Sequence, residues 1–327
     1  MNEIEIRMLY HFILEVVLIS LKIGFIGPGK VGVNLGRYFT HNDLHVTGFY
    51  GQNSDTAKEA SIITNSKWYK NIEDIIKESN IIFITTPDDI ISIIDKELSK
   101  FDLKDKSVCH CSGSLKSNVL SNVKSAGALI YSVHPIFAFS NKNINISDLE
   151  KIYFSIEGDN LDSEYDSNLN ETSMYTSDLM IISLIKKLPN KYFIRDKESS
   201  SKYHLSNVIV SNLVLSLIEI GTGYLESFNL SEEEALEAIK PLVYGNINNI
   251  FEKGFLNSLT GPAARGDLET IKKHKAVISK EHEKLYDILS LNLLELASER
   301  ENAEKLNKSC KSEKYEKIYN LLKGVAE

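Results

Sequence analysis

Short apolar runs alternate with amphipathic stretches over the first 195 or so residues, and this alternation predicts strands and helices in turn. Residues 21–26 (LKIGFI) are continuously apolar, as expected of a strand covered on both faces of a parallel sheet. Further strands are predicted at 45–50, 80–85 (NIIFIT), 107–111 and 129–133, and 151–156 and 191–194 could extend the sheet. Helical spacing falls between them at 31–40, 54–64, 71–79, 89–98 and 117–125. Regular β–α alternation predicts an α/β fold with a doubly wound parallel sheet. Residues 158–177 (GDNLDSEYDSNLNETSMYTS) break the pattern; polar and acidic, they read as a surface insertion.

After residue 196 the strand signals end and the spacing becomes helical throughout. Helices are predicted at 200–228, 231–253, 267–273, 279–299 and 312–325, the second opened by a capping box of Ser231 and Glu234. The chain thus reads as an extension over 1–20, an α/β domain over 21–197 and an all-α domain over 198–327. Residues 8–26 are largely apolar, but His11, Glu15 and Lys22 interrupt them, acids precede them and no small-residue cleavage site follows. We expect an extra N-terminal helix there, or a true start at Met8 or later, and no membrane anchor.

Composition narrows the class. Of 327 residues, 43% are hydrophobic and 25% charged, with only 6 Pro, which suits a folded chain and not a disordered one. Lys and Arg number 37 against 45 Asp and Glu, a net charge of −8. General attraction to nucleic acid or anionic lipid is therefore not expected, although a local basic patch remains open. Three cysteines cannot build a disulfide framework, and a reducing cytoplasm fits them best. Cys109 and Cys111 share a strand face, but with Cys310 as the one other thiol no tetrahedral Cys site can form, and no metal is predicted.

The first candidate chemistry is Gly27-Pro28-Gly29-Lys30-Val31-Gly32, a GxGxxG between a predicted strand and helix. Gly27 allows the tight turn, Gly29 lets backbone approach a pyrophosphate, and Gly32 permits close helix–strand packing. The helix start offers free N–H groups to phosphate. At the end of the second strand, where NAD-binding chains place an acid, this one has Gln52-Asn53-Ser54, with no acid before Asp55. The small polar residues leave room for a 2′-phosphate and favour NADP(H), with Lys58 or Lys30 supplying the charge.

Other candidates stand at predicted strand ends and in the helical region. Thr86-Pro87 ends one strand on the ligand side of the sheet. Ser112-Gly113 ends another and could face the nicotinamide or a substrate oxygen; an ordinary turn explains it as well. His134, before Pro135, could donate to a carbonyl or carboxylate, or be a structural histidine. Lys202 and His204 open the first helix after the boundary, where His204, Val208 and Ser211 align with Asn207 and Asn212 flanking. This polar stripe is a candidate substrate wall, or an inter-helix or dimer contact. Residues 259–267 (LTGPAARGD) form a Gly-Pro turn ahead of a helix start, and Arg265 offers the fork a carboxylate needs unless Asp267 holds it.

Together GxGxxG, TTPDD, CSGS, HP, KYH…SN and LTGPAARGD resemble one family of Rossmann-type oxidoreductases across nearly the whole chain. Its C-terminal helical domain was long catalogued as of unknown function. In architecture it is related to pyrroline-5-carboxylate reductases, and it includes an alternative type of ketopantoate reductase. The resemblance implies an NADP(H)-dependent reductase of a small anionic 2-oxo acid, with 2-dehydropantoate the expected substrate, and a homodimer formed through the helical domain. It implies a cleft between domains as the site of hydride transfer. Lys202 would be the proton donor, with His204 the alternative. Asn212, Asn207, Ser112 and His134 would orient the substrate, and Arg265 would hold its carboxylate. Departures from the pattern are the N-terminal extension, the insertion and the missing Arg after the second strand. A cyclic-imine reductase, a prephenate- or arogenate-type dehydrogenase and a non-catalytic NADP sensor remain alternatives.

Overall fold

The computed structural model describes residues 21–161, 180–304 and 313–324. The expected N-terminal helix, all but the start of the 158–177 insertion, and Cys310 lie outside the described residues. The chain divides into two compact units, Met1–Val214 and Leu215–Glu327, so the break falls within the helical run and α8, defined below, belongs to the sheet unit.

The first unit is an eight-stranded sheet in the order β3-β2-β1-β4-β5-β6-β7-β8. In chain order its elements are β1 (Lys22–Ile26), α1 (Lys30–His41), β2 (His45–Tyr50), α2 (Ser54–Ile63), β3 (Lys67–Trp68), α3 (Ile72–Glu78), β4 (Ile81–Ile84), α4 (Asp88–Leu98) and β5 (Ser107–His110). After a short 3₁₀ turn come α5 (Ser121–Ser125), β6 (Leu129–Pro135), α6 (Ile146–Leu149), β7 (Tyr153–Gly158), α7 (Met180–Lys186), β8 (Lys191–Ile194) and α8 (Ser200–Val210). The apolar runs are continuous because both sheet faces are covered. Phe25 stacks between Phe49 and Phe83 on one face, with ring centroids 5.1 and 5.5 Å away. Ile26, Ile82 and Ile84 pack against Ile75 and Ile91 on the other.

Two features depart from the expected pattern. The sheet is parallel except where β6 pairs antiparallel with β7. The chain between those strands contains only the one-turn helix α6, too little to cross a sheet face and return in parallel, so it folds straight back. Helix α7 then restores a parallel return to β8. The helix expected over 200–228 is two, parted at Ser211, whose hydroxyl turns back to the carbonyl of Asn207 at 2.6 Å. The expected stripe of His204, Val208 and Ser211 therefore stops at that break.

The second unit continues α9 (Asn212–Glu226) and adds α10 (Glu232–Ser258), α11 (Gly261–Arg265), α12 (Leu268–Val277), α13 (Lys280–Glu304) and α14 (Glu313–Lys323). Ser231 and Glu234 form the capping box of α10. Gly254, at φ 74°, breaks that helix where the sequence reading ended it. The 259–267 stretch holds a full helical turn with Pro262 at its start; Gly266, at φ 71°, ends it and Asp267 caps α12. Ile271, Leu294, Ala297, Ile318 and Leu322 form this unit's core.

Candidate active site

The strand order reverses between β1 and β4, since the chain runs from β1 through β2 to β3 on one side and from β4 through β5 on the other, and this switch point opens a crevice of about 840 Å³. Its floor is the GxGxxG turn. Gly27 takes φ 107°, a conformation that disfavours side chains, and its amide donates to the carbonyl of Tyr50. A Cβ on Gly32 would lie 2.4 Å from the Thr85 hydroxyl, so only glycine lets α1 sit this close to β4. Gly29 is different: no atom lies within 3.7 Å of where its Cβ would be, and that side is open to a ligand. It is also the N-cap of α1 and supplies no side-chain cap, and the first turn carries no acid. The free N–H groups and the dipole of α1 are thus available to an anion. Lys30 is exposed, while Val31 packs on the sheet core.

At the end of β2 the three polar residues separate in role. Asn53 caps α2, accepting from the amide of Asp55 at 2.9 Å, and Ser54 is that helix's first residue. Gln52 remains to line the crevice, together with Thr56. Across from them are Thr86 and Pro87, and the Thr86 hydroxyl is buried without a protein partner. A buried hydroxyl left unsatisfied is costly, and a dinucleotide lying along the strand ends would satisfy it. Lys58 does not border the crevice; it lies 4.7 Å over the Trp68 ring and 3.7 Å from Asp55.

Further along the strand ends, Ser112 donates to Asp88 at 2.8 Å and accepts from the amides of Ser114 and Leu115. Its oxygen is occupied within the turn, which leaves Gly113 as the smooth part of that surface. Burial holds His110, beneath it, at a pKa of about 4; its Nδ1 accepts from the Ser112 amide, so Nε2–H donates to the carbonyl of Lys116.

His134 meets Gly113 from β6: a Cβ there would be 2.9 Å from its Nε2. Its Nδ1 lies 2.5 Å from the Tyr203 hydroxyl, across 69 residues of sequence. Burial, then the neighbouring Arg195 charge, lowers the His134 pKa to about 4, and burial raises that of Tyr203. Both are therefore neutral at pH 7. Arg195 is buried, its guanidinium 4.9 Å over the Tyr203 ring and bonded to the hydroxyls of Ser132 and Ser200. A cation so placed stabilises negative charge at this end of the sheet.

Of the predicted residues, the structure brings Ser112, Gly113 and His134 together. Lys202 and His204 flank Tyr203 on α8 and are exposed. Asn207 faces the Tyr203 hydroxyl from one turn on. Asn212 is exposed and its side-chain oxygen receives the Ser211 hydroxyl at 3.0 Å. Arg265, in the second unit, is exposed with its guanidinium 3.9 Å from Asp267. The sequence analysis assigns no role to Arg195, nor to Tyr203 and Asp88 within the KYH and TTPDD motifs, because the partners that give the last two a role, His134 and Ser112, lie 69 and 24 residues away.

This site and fold define a Rossmann-like protein, with the ligand edge at the switch point. The sequence profile of a Rossmann-like domain matches residues 15–135 and that of a domain of unknown function (DUF2520) matches residues 172–293; the chain joins the two. No curated protein sequence matches it. Among solved structures, it resembles a candidate NADP oxidoreductase from Bacteroides fragilis (19% identity, TM-score 0.61, covering 84% of this chain and 98% of that one). Protein TM1727 from Thermotoga maritima is 24% identical with a TM-score of 0.60, covering 86% and 99%. A Plasmodium falciparum pyrroline carboxylate reductase with NADP bound is 15% identical with a TM-score of 0.51, covering 87% and 98%. At these identities the likeness is one of fold.

Proposed function

We propose that this protein is an NADP(H)-dependent oxidoreductase that reduces the C=O group of a small anionic 2-oxo acid. The specific reaction proposed is 2-dehydropantoate to pantoate. The observation that carries the reading is the crevice itself: an open Gly29, an uncapped helix start and an orphaned Thr86 hydroxyl along one strand edge. That edge leads to the neutral His134–Tyr203 pair beside Gly113. NADP bound in the pyrroline carboxylate reductase of like fold supports the cofactor.

Bound NADPH would supply the hydride. The chain's residues do the rest. The α1 amides and Gly29 hold phosphate, Gln52 and Thr56 face the ribose, and Thr86 and Gly113 border the nicotinamide end. With the Tyr203 hydroxyl donating to Nδ1, the proton of His134 sits on Nε2, which offers it to the substrate oxygen. Lys202 is the proposed proton donor, with His204 the alternative. Asn207 and Asn212 orient the substrate, and the exposed Arg265 takes its carboxylate.

The test follows NADPH absorbance against 2-dehydropantoate, pyrroline-5-carboxylate and a panel of 2-oxo acids. We expect turnover with a 2-oxo acid, a tenfold or greater loss of kcat in Tyr203→Phe or Lys202→Ala, and a raised KM in Arg265→Ala. Turnover with the cyclic imine alone would replace this reading by an imine reductase. Cofactor binding without any turnover would replace it by a sensor.

We also propose a cytoplasmic homodimer. Residues Ser200–Glu226 are long and apolar enough to cross a membrane. The break at Ser211 divides them into helices of 11 and 15 residues, each shorter than the roughly 20 a span needs. Leu215, Leu242, Phe251 and Phe255 are each at least 66% exposed, and a second copy of the chain would cover them.

A further inference from the structure

One lysine reaches the crevice from a part of the chain that no nucleotide-binding motif includes. Lys142 lies in the loop after β6 and, among the described residues lining the crevice, is its single Lys or Arg. The same crevice is lined by Gln52 and Thr56, from the end of β2 and the start of α2. In a dinucleotide-binding sheet this is where the adenosine ribose lies, and where an acid would hold its 2′-hydroxyl.

The loop is fixed and not free to wander. Asn34 of α1 is fully buried and clamps it from both sides of Lys142. Its side-chain amide donates to the carbonyl of Asn141 at 2.7 Å, and its side-chain oxygen accepts from the amide of Ile144 at 3.0 Å. Arg37 adds a bond to the Ile144 carbonyl at 3.0 Å. Between the clamps the Asn141 side chain accepts from the Asn143 amide at 2.7 Å, which closes a turn with Lys142 at its tip. Lys142 projects from this tip to Glu59 on α2, 2.8 Å away, and both side chains keep contact with solvent. An exposed pair of this kind is weak, so a phosphate dianion can compete with Glu59 for the ammonium group. The two lysines that sequence spacing nominates are not so placed, since neither Lys30 nor Lys58 lines the crevice.

We propose that Lys142 recognises the ribose 2′-phosphate of NADP(H) and is the residue that sets the preference over NAD(H). The proposal rests on the NADP(H) reading above and adds the source of its selectivity. Glu59 would hold the lysine ready at the crevice wall in the free protein and release it on binding. Selectivity then comes from a loop clamped to α1 beside the crevice, in place of the Arg that often follows the second strand.

The experiment is a fluorescence titration of NADPH and NADH, and of adenosine 2′-monophosphate and 5′-monophosphate, against the wild-type chain, Lys142→Ala, Lys142→Arg and Lys58→Ala. We expect Lys142→Ala to weaken NADPH and the 2′-monophosphate at least tenfold while moving NADH and the 5′-monophosphate less than twofold. Lys142→Arg should retain most of the 2′-phosphate affinity, and Lys58→Ala should leave it unchanged. Equal losses for NADPH and NADH would assign the lysine to the pyrophosphate and overturn the proposal, as would an unchanged NADPH affinity or a selective loss in Lys58→Ala instead. Wild-type chain that binds neither dinucleotide would overturn the NADP(H) reading itself, and this proposal with it.

Discussion

His110 and His134 sit near the ends of adjacent strands, and each is held at a pKa near 4 against an ordinary 6.5, chiefly by burial. The sign of the consequence follows from which state takes the proton first. Above pH 6.5 both histidines are neutral folded or unfolded, and their contribution to stability is constant. As pH falls from 6.5 to 4 the unfolded chain binds protons that the folded chain refuses, so stability declines through that window and levels below it. Each histidine accounts for a loss on the order of 3 kcal/mol at the acid end. Urea unfolding at pH 7 and pH 4.5 should show the fall, and His134→Gln should lessen it. An equal fall in that variant would remove His134 from the account. The same neutrality suits His134 to hydrogen bonding with Tyr203, since an imidazolium could not accept the hydroxyl proton.

Among the elements, α1 has two duties, and its sequence shows one of them. The glycine turn before it is a local signal, because turn, approach and packing are all made by residues within one strand–helix unit. Its second duty is to carry Asn34, whose partners at Asn141 and Ile144 are 107 and 110 residues away, so no spacing rule could reveal it. Replacing Asn34 by Ala would leave the Ile144 amide and the Asn141 carbonyl without their partner. We expect a loss of about 2 kcal/mol in unfolding free energy and a weaker NADPH affinity, measured by denaturant titration and fluorescence. Unchanged NADPH affinity would mean that the loop keeps its place without the clamp. Helix α8 shows the converse limit. Its periodicity continues through Ser211, yet the serine's own hydroxyl bond coincides with the break and divides the run.

At the scale of the molecule, the two units differ in how completely they bury their apolar residues. The sheet unit packs both faces, whereas helices of the second expose Phe251 at 85% and Leu242 at 66%. The homodimer proposed above would cover these side chains. Light scattering should give twice the chain mass for the wild type, and Leu242→Glu with Phe251→Glu should shift it toward the monomer. Monomeric wild type at micromolar concentration would reject the dimer.

The doubly wound sheet, the glycine turn and the capping box at Ser231 follow from sequence alone because each is made by neighbours in the chain, where periodicity and turn chemistry act directly. The antiparallel return of β7, the pairing of Tyr203 with His134 under Arg195, and the placement of Lys142 in the crevice that Gln52 lines were decided by tertiary structure. Those groups meet only after strands far apart in the chain have been laid side by side, and their pKa values and partners are products of that burial.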